Sequence, residues 1–267
     1  IDFVGAEEGL PAVITISALE SSDGTLWIAN YSDGGHYYRP PGEKKFRRLQ
    51  EHPVLHPYYD RFGHCMLEDS RGRLWFGLDG RGLIHYDPKA QRAQLWERTP
   101  QNDTTLIGNY VNALCEAPDG TIWAATSMGL SAIDPNTFRF TNYDRVRGLP
   151  TNRIATVLAD AQNRIWIGTQ QGLWLLDSTR QHIRQFDMND GLPETSFMPL
   201  PAGRLRDGRF AFPSRRGIVA FYPERFVSRQ TDSMTLLLSG IRVLNQDFET
   251  PTNCEELQQL YLPPGKN

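Results

Sequence analysis

The sequence has little of what marks a metalloenzyme, a membrane span or a nucleic-acid binder. It holds three cysteines, Cys65, Cys115 and Cys254, an odd number whose spacing fits neither a zinc site nor a CxxC redox pair. Cys65 and Cys115 fall in apolar strand-like stretches, so buried free thiols are expected there. No run of eighteen apolar residues occurs, which excludes a helical membrane span within the sequence itself. Basic blocks are also missing: 28 Lys and Arg against 31 Asp and Glu leave a net charge of −3, and a nucleic-acid surface has no electrostatic support. The histidines His36, His52, His56, His64, His85 and His182 never form HxH or HExxH, so metal-ligand spacing is lacking. There is no Gly-x-Ser-x-Gly elbow. A sialidase-type Asp box, with Asp two residues before Gly, is absent too, because Asp23-Gly24 and Asp119-Gly120 are adjacent. Ile1 is not an initiator Met and no signal peptide is visible, so a piece of a longer protein is expected.

What the chain has instead is repetition. Asp119-Gly-Thr-Ile-Trp-Ala-Ala-Thr-Ser-Met-Gly-Leu-Ser-Ala-Ile-Asp-Pro135 is rewritten several times. Asp23-Gly-Thr-Leu-Trp-Ile-Ala29 is one copy, and Arg73-Leu-Trp-Phe-Gly77 with Gly82-Leu-Ile-His-Tyr-Asp-Pro88 is another. Arg164-Ile-Trp-Ile-Gly-Thr169 with Gly172-Leu-Trp-Leu-Leu-Asp177 is a third, and a degenerate copy, Asp207-Gly-Arg-Phe-Ala-Phe-Pro213, carries Ala211 at the tryptophan position. Trp27, Trp75, Trp123 and Trp166 stand 48, 48 and 43 residues apart. A period in the forties built on short hairpins is the signature of a β-propeller.

Each unit reads as four strands. In the third, Val111–Glu116, Thr121–Ala125, Leu130–Ile133 and Arg139–Tyr143 are β-branched and aromatic runs, separated by Asp-Gly, Ser-Met-Gly and Asp-Pro turns. One large ring at an equivalent place in each unit fills the wedge between adjacent sheets, since an aromatic buries roughly 150–250 Å². A row of aromatic platforms for sugars is the alternative, and equivalent mid-strand placement favours packing. Trp96 and Trp174 lie outside the repeat position and are the better candidates for special contacts. Helical periodicity is absent until Glu255–Leu260, too short a segment to assign.

The expected fold is therefore all-β, a β-propeller of four-stranded blades with about five blades present, a partial propeller included. Beyond Tyr222-Pro223 the hairpin grammar stops, and Ser233–Asn245 is one longer strand-like run. Residues 1–228 are assigned to the blades, and 229–267 to the beginning of a β-sandwich whose remaining strands are missing.

Gly148-Leu-Pro-Thr-Asn152, Arg164–Thr169, Gly172-Leu173, Arg73–Gly77 and Leu83–Pro88 resemble the two-component regulator propeller repeat. Leu236–Leu262 resembles the start of the triple-tyrosine (Y_Y_Y) sandwich that follows such propellers. The resemblance implies the extracytoplasmic, periplasmic sensor of a membrane-bound signalling protein, with a histidine kinase or a cyclase as output outside this chain. It carries over no catalytic residue, because the repeat pattern is structural throughout. Three departures stand out. Five units are counted where the family often has fourteen blades, the first unit has Tyr31-Ser-Asp-Gly-Gly-His36 in place of a short turn, and the fifth lacks its Trp.

Strand alternation puts the turns between second and third strands, and the connections between units, on one face. That face varies between units, as a recognition surface on a rigid scaffold does. Its candidates for ligand binding are Tyr58, Tyr59, Arg61, Arg81, Asn109, Tyr110, Arg145, Arg153, Gln170, Gln171 and Arg215. Aromatic faces, amides and guanidinium groups of this kind suit a polyhydroxylated or anionic ligand such as an oligosaccharide. No catalytic residue, metal or cofactor is expected. The expected partners are a small molecule such as a carbohydrate, no nucleic acid, the membrane only through segments outside this chain, and a second copy through the sandwich region. Two alternatives stay open: a propeller enzyme of the lyase or glycan-hydrolase type, with His64 or His85 as its base, and a protein-binding scaffold.

Overall fold

The computed structural model describes residues 5–10, 15–30, 36–58, 63–149, 151–228, 241–243 and 246–248. The chain separates into two compact units, Ile1–Pro223 and Glu224–Asn267.

The first unit is a five-bladed propeller, each blade an antiparallel meander in chain order. Blade 1 is β1 (Thr15–Glu20), β2 (Leu26–Asn30), β3 (His36–Arg39) and β4 (Arg47–Arg48). Blade 2 is β5 (Gly63–Glu68), β6 (Leu74–Leu78), β7 (Leu83–Asp87) and β8 (Arg92–Trp96). Blade 3 is β9 (Val111–Glu116), β10 (Ile122–Thr126), β11 (Gly129–Ile133) and β12 (Phe140–Tyr143). Blade 4 is β13 (Ile154–Ala159), β14 (Ile165–Thr169), β15 (Gly172–Leu176) and β16 (Ile183–Phe186). Blade 5 contributes three strands among the described residues, β17 (Gly203–Arg204), β18 (Phe210–Ser214) and β19 (Gly217–Phe221). The strands expected in the third unit are met to within one residue at each end.

The register explains the repeat. Trp27, Trp75, Trp123 and Trp166 pair with Leu19, Leu67, Cys115 and Leu158 at one equivalent rung. All four indoles are buried, so packing, not a row of sugar platforms, is their role. Each wedge between blades is its own apolar cluster. Trp27 sits with Leu74, Phe76 and Ile84 of blade 2, Trp75 with Val111, Leu114 and Ile122 of blade 3, and Trp123 with Ile154, Val157 and Ile165 of blade 4. The lost fifth tryptophan is offset by phenylalanines. Trp166 meets Phe210 and Phe221, and Phe212 stacks on Phe221.

The first strand of each blade is the inner one, lying beside its counterpart in the next blade. In blade 5 this strand is broken. Phe197 bridges Ser214, pairing resumes only at Gly203, and between them stand Pro199 and Pro201, which cannot donate to a ladder. Cys65 and Cys115 are buried free thiols, and burial pushes both thiols up, away from reactivity. Trp96 stacks on Phe138 of blade 3, and Trp174 packs on the wedge of blades 3 and 4.

In the second unit a hairpin of β20 (Ile241–Val243) and β21 (Gln246–Phe248) is described. A short helix that the sequence reading did not anticipate, α1 (Pro223–Ser228), begins at the end of blade 5, with Pro223 at a first-turn position where no N–H is needed. Most of the segment assigned to a triple-tyrosine sandwich, with Cys254 and Glu255–Leu260, lies outside the described residues.

Candidate functional site

In blades 3 and 4 the turn between second and third strands is shaped by one hydroxyl. Thr126 Oγ1 donates to Gly129 O at 2.8 Å and accepts from the Met128 N–H at 3.1 Å. Thr169 repeats this with Gly172 O at 3.0 Å and the Gln171 N–H at 3.0 Å. Gly129 and Gly172 have φ of 147° and 134°, and a Cβ on Gly129 would lie 2.5 Å from Tyr143 O. Only glycine closes such a turn. Its consequence is that Ser127 and Gln170 are presented at the blade tip while their neighbours are fixed.

These tips and the inner strands enclose a cavity of about 430 Å³ at the mouth of the propeller. Its walls are Tyr110, Asn112, Ser127, Arg153, Gln170 and, from blade 5, Pro199, over a floor of Ile154 and Ala155. Tyr110 is 54% exposed, an unusual position for so large a ring; its carbonyl accepts from the Ser127 N–H at 3.1 Å. Asn112 Nδ2 donates to Ile154 O at 2.7 Å, tying the inner strands of blades 3 and 4 across the floor. The Arg153 and Gln170 side chains are exposed at the rim. The site offers one aromatic face, one guanidinium, amides and a hydroxyl, a set that holds polar ligands by stacking and hydrogen bonding.

Of the residues expected from the sequence, Tyr110, Arg153 and Gln170 share this cavity. The others are spread out. Asn109 Oδ1 accepts from the Arg98 N–H at 2.6 Å and holds the connection that carries Tyr110. Gln171 supports its turn through the backbone, its carbonyl accepting from Gln185 Nε2. Arg81 lies 3.8 Å from Glu97, Arg145 is exposed on the connection between blades 3 and 4, and Arg215 is exposed on the blade 5 turn. Tyr58 lies apart from the cavity: half-buried, it packs on the cluster of blades 1 and 2, with its hydroxyl 3.5 Å from Ala93 O. Tyr59 and Arg61 lie outside the described residues. Sequence reasoning missed Asn112 and Pro199. Asn112 could have been found as a polar residue on an otherwise apolar inner strand; Pro199 reaches the mouth only because blade 5's strand is broken.

A larger cavity of about 830 Å³ lies between blades 2 and 3 on the opposite side, lined by Arg71, Arg73, His85, Arg92, Asn136 and Phe138. Its cations largely serve the seam between blades: Arg73 donates to Asp69 and to Pro135 O, and Arg71 to Asn136. His85 stays neutral, its pKa lowered by burial and by Arg73 to about 4. Among the described residues no cluster of metal-ligating side chains occurs.

Three stretches, residues 60–80, 105–128 and 148–171, match the two component regulator propeller family. No match was found among curated proteins. Among solved structures, the extracellular domain of BT3049 from B. thetaiotaomicron, described as a hybrid two component system, superposes with a TM-score of 0.69 at 19% identity over 84% of this chain. The extracellular domain of BT4673 from the same organism superposes with a TM-score of 0.63 at 16% identity over 80% of this chain. Virginiamycin B lyase from Staphylococcus aureus gives 0.56 at 16% identity, over 78% of this chain and 69% of the lyase. This chain spans only 30% and 28% of the two B. thetaiotaomicron chains. At these identities the likeness is one of fold. Three stretches of the chain thus match two component regulator propeller repeats, and its fold is like that of the extracellular domain of the hybrid two component system BT3049.

Proposed function

We propose that this chain is the extracytoplasmic, periplasmic ligand-sensing part of a membrane-bound two-component signalling protein, and that the cavity at the propeller mouth seats the ligand. The carrying observation is the convergence of Tyr110, Arg153 and Gln170, from three separate connections, on one 430 Å³ space. The repeat matches support the sensor class. A small oligosaccharide, in particular one bearing a carboxylate, fits the chemistry. The Tyr110 ring stacks on a sugar face, the Arg153 guanidinium meets the carboxylate in a fork, and Gln170 and Ser127 bond hydroxyls. The kinase or cyclase output resides in domains outside this chain. A lyase reading draws on the fold likeness to virginiamycin B lyase. The described lining of this cavity supplies groups for holding a ligand and no histidine or carboxylate for proton transfer.

Thermal-shift screening of neutral and acidic oligosaccharides tests the reading, since a ligand at 100 times its Kd stabilises by about 2.7 kcal/mol. An acidic oligosaccharide is expected to raise Tm, and Arg153→Ala to weaken its binding at least tenfold with the unliganded Tm unchanged. Binding that ignores Arg153→Ala and Tyr110→Ala would place the ligand elsewhere, and turnover of a bound substrate would favour the enzyme.

A further inference from the structure

We propose that the cavity of about 830 Å³ between blades 2 and 3, on the face opposite the mouth, is a second and independent binding site. Its ligand is a small organic anion whose phosphate or carboxylate group meets Arg71 and Arg92 while a ring-shaped body lies against Phe138.

The charge of this seam is inverted relative to its neighbour. Four residues before the repeat tryptophan stand Asp23 in blade 1 and Asp119 in blade 3, with Asp207 at the degenerate copy in blade 5. Blade 2 has Arg71 there instead. At the seam of blades 3 and 4 that aspartate neutralises a cation: Asp119 Oδ2 accepts from Arg180 Nη2 at 2.6 Å, and the guanidinium lies over the Trp123 ring. The protein supplies its own anion there. At the seam of blades 2 and 3 the cation sits on the first turn, and what answers it from blade 3 is the neutral amide of Asn136. Arg73 is ion-paired with Asp69 at 2.8 Å. Arg92 lines the same cavity, is exposed, and makes no ion pair or hydrogen bond among the described residues. Arg71 and Arg92 thus carry two charges against the one remaining carboxylate of the lining, Asp87, which accepts from the Lys89 and Ala90 N–H groups of its own turn. Two guanidinium groups at a concave site, each able to fork onto paired oxygens, select an anion.

His85 is an independent sign. It is the cross-strand partner of Trp75, and at that rung blades 3 and 4 place Ala132 and Leu175 against their tryptophans. An alkyl side chain therefore serves the packing, yet blade 2 spends an imidazole. His85 is buried, lines the cavity, and has no hydrogen bond to its ring nitrogens among the described residues. A buried polar group left unpaired is costly, and an anion oxygen accepting from the ring N–H would satisfy it. Phe138 of blade 3 stands edge-on to His85 at 4.9 Å and also lines the space, giving an apolar surface beside the cations. The volume lies in the range of small-molecule sites and exceeds what an inorganic anion fills.

Calorimetric titration of the protein with phenyl phosphate, benzoate and inorganic phosphate tests the site. Phenyl phosphate or benzoate is expected to bind at least tenfold more tightly than inorganic phosphate, and the tighter of the two identifies the head group. Arg71→Asp, which puts back the residue type of blades 1, 3 and 5, and Arg92→Ala should each weaken that binding at least tenfold. His85→Leu, matching blade 4, should weaken it too without lowering Tm, and the His85 ring signals in NMR spectra should shift as ligand is added. Arg153→Ala, at the mouth, should leave this binding unchanged, so the two sites stand or fall separately. The proposal is overturned if none of the three probes binds at millimolar concentration, if binding survives both Arg71→Asp and Arg92→Ala, or if Arg153→Ala abolishes it. Inorganic phosphate binding as tightly as phenyl phosphate would also overturn it.

Discussion

The four repeat tryptophans bury the same ring but do not satisfy it in the same way. Trp75 and Trp166 donate from Nε1 to Asp69 and Asp160, at 3.0 and 2.9 Å, and Trp27 donates to Ser21 Oγ at 3.0 Å. Burial alone would push the Asp69 carboxyl up, yet the indole, two backbone N–H groups and Arg73 outweigh it and hold that carboxyl below the usual range. In blade 3 the position is Ala117, and the Trp123 Nε1 is buried with no hydrogen-bond partner among the described residues. The Arg180 guanidinium, 4.6 Å from the ring centroid, answers the face of that indole but not its N–H. Asp119 and Thr121 already stand where Asp23 and Thr25 hold Ser21 in blade 1. Ala117→Ser is therefore expected to complete the same arrangement and stabilise the protein by about 1 kcal/mol, read as a higher urea midpoint at unchanged slope.

At the scale of strands, the small residue two places after each tryptophan, Ala29, Gly77, Ala125 or Gly168, is set by the next blade. A Cβ on Gly77 would press on Cys65 Sγ and lie 2.8 Å from Val111 Cγ1 of blade 3. On Gly168 it would lie 2.7 Å from Thr156 Cγ2 and 3.2 Å from Phe197 Cβ of blade 5. Neither backbone has a positive φ, so space rather than conformation demands glycine. Overpacking of this kind costs about 1–3 kcal/mol, and Gly77→Ala should lower stability by that amount in chemical denaturation. The strands themselves were legible because period-two alternation and Asp-Gly and Asp-Pro turns are local signals. The break in blade 5's inner strand was less so, since Pro199 and Pro201 interrupt the alternation that marks the other inner strands and only the bridge from Phe197 to Ser214 shows where the strand begins.

Across the whole molecule, acid sensitivity comes from buried histidines. His36 takes the rung that Leu83, Leu130 and Leu173 hold in later blades. It is fully buried against Phe76, with neither ring nitrogen partnered among the described residues, and burial lowers its pKa to about 4. Burial does the same to His52, with His56 adding to it, and to His85, again to about 4. A folded pKa below the unfolded value of about 6.5 means that the unfolded chain takes up the proton first. Stability is then complete above pH 6.5 and falls as pH drops from there toward 4. The slope is at most about 1.4 kcal/mol per pH unit for each of these groups within that window. His36→Leu is expected to flatten that slope and raise Tm at pH 5 more than at pH 7.5, as measured by thermal melts across the range.

The sequence by itself determined the repeat, the four-strand blade and the packing role of the tryptophans, because each follows from local alternation, turn residues and a period counted along the chain. It also marked the variable face, from which Tyr110, Arg153 and Gln170 came. Which of those candidates meet was decided only in three dimensions. The distance between two loop tips depends on how blades fan about an axis, and no spacing along the chain encodes it; Tyr58 went to a wedge and Asn112 to the cavity for that reason.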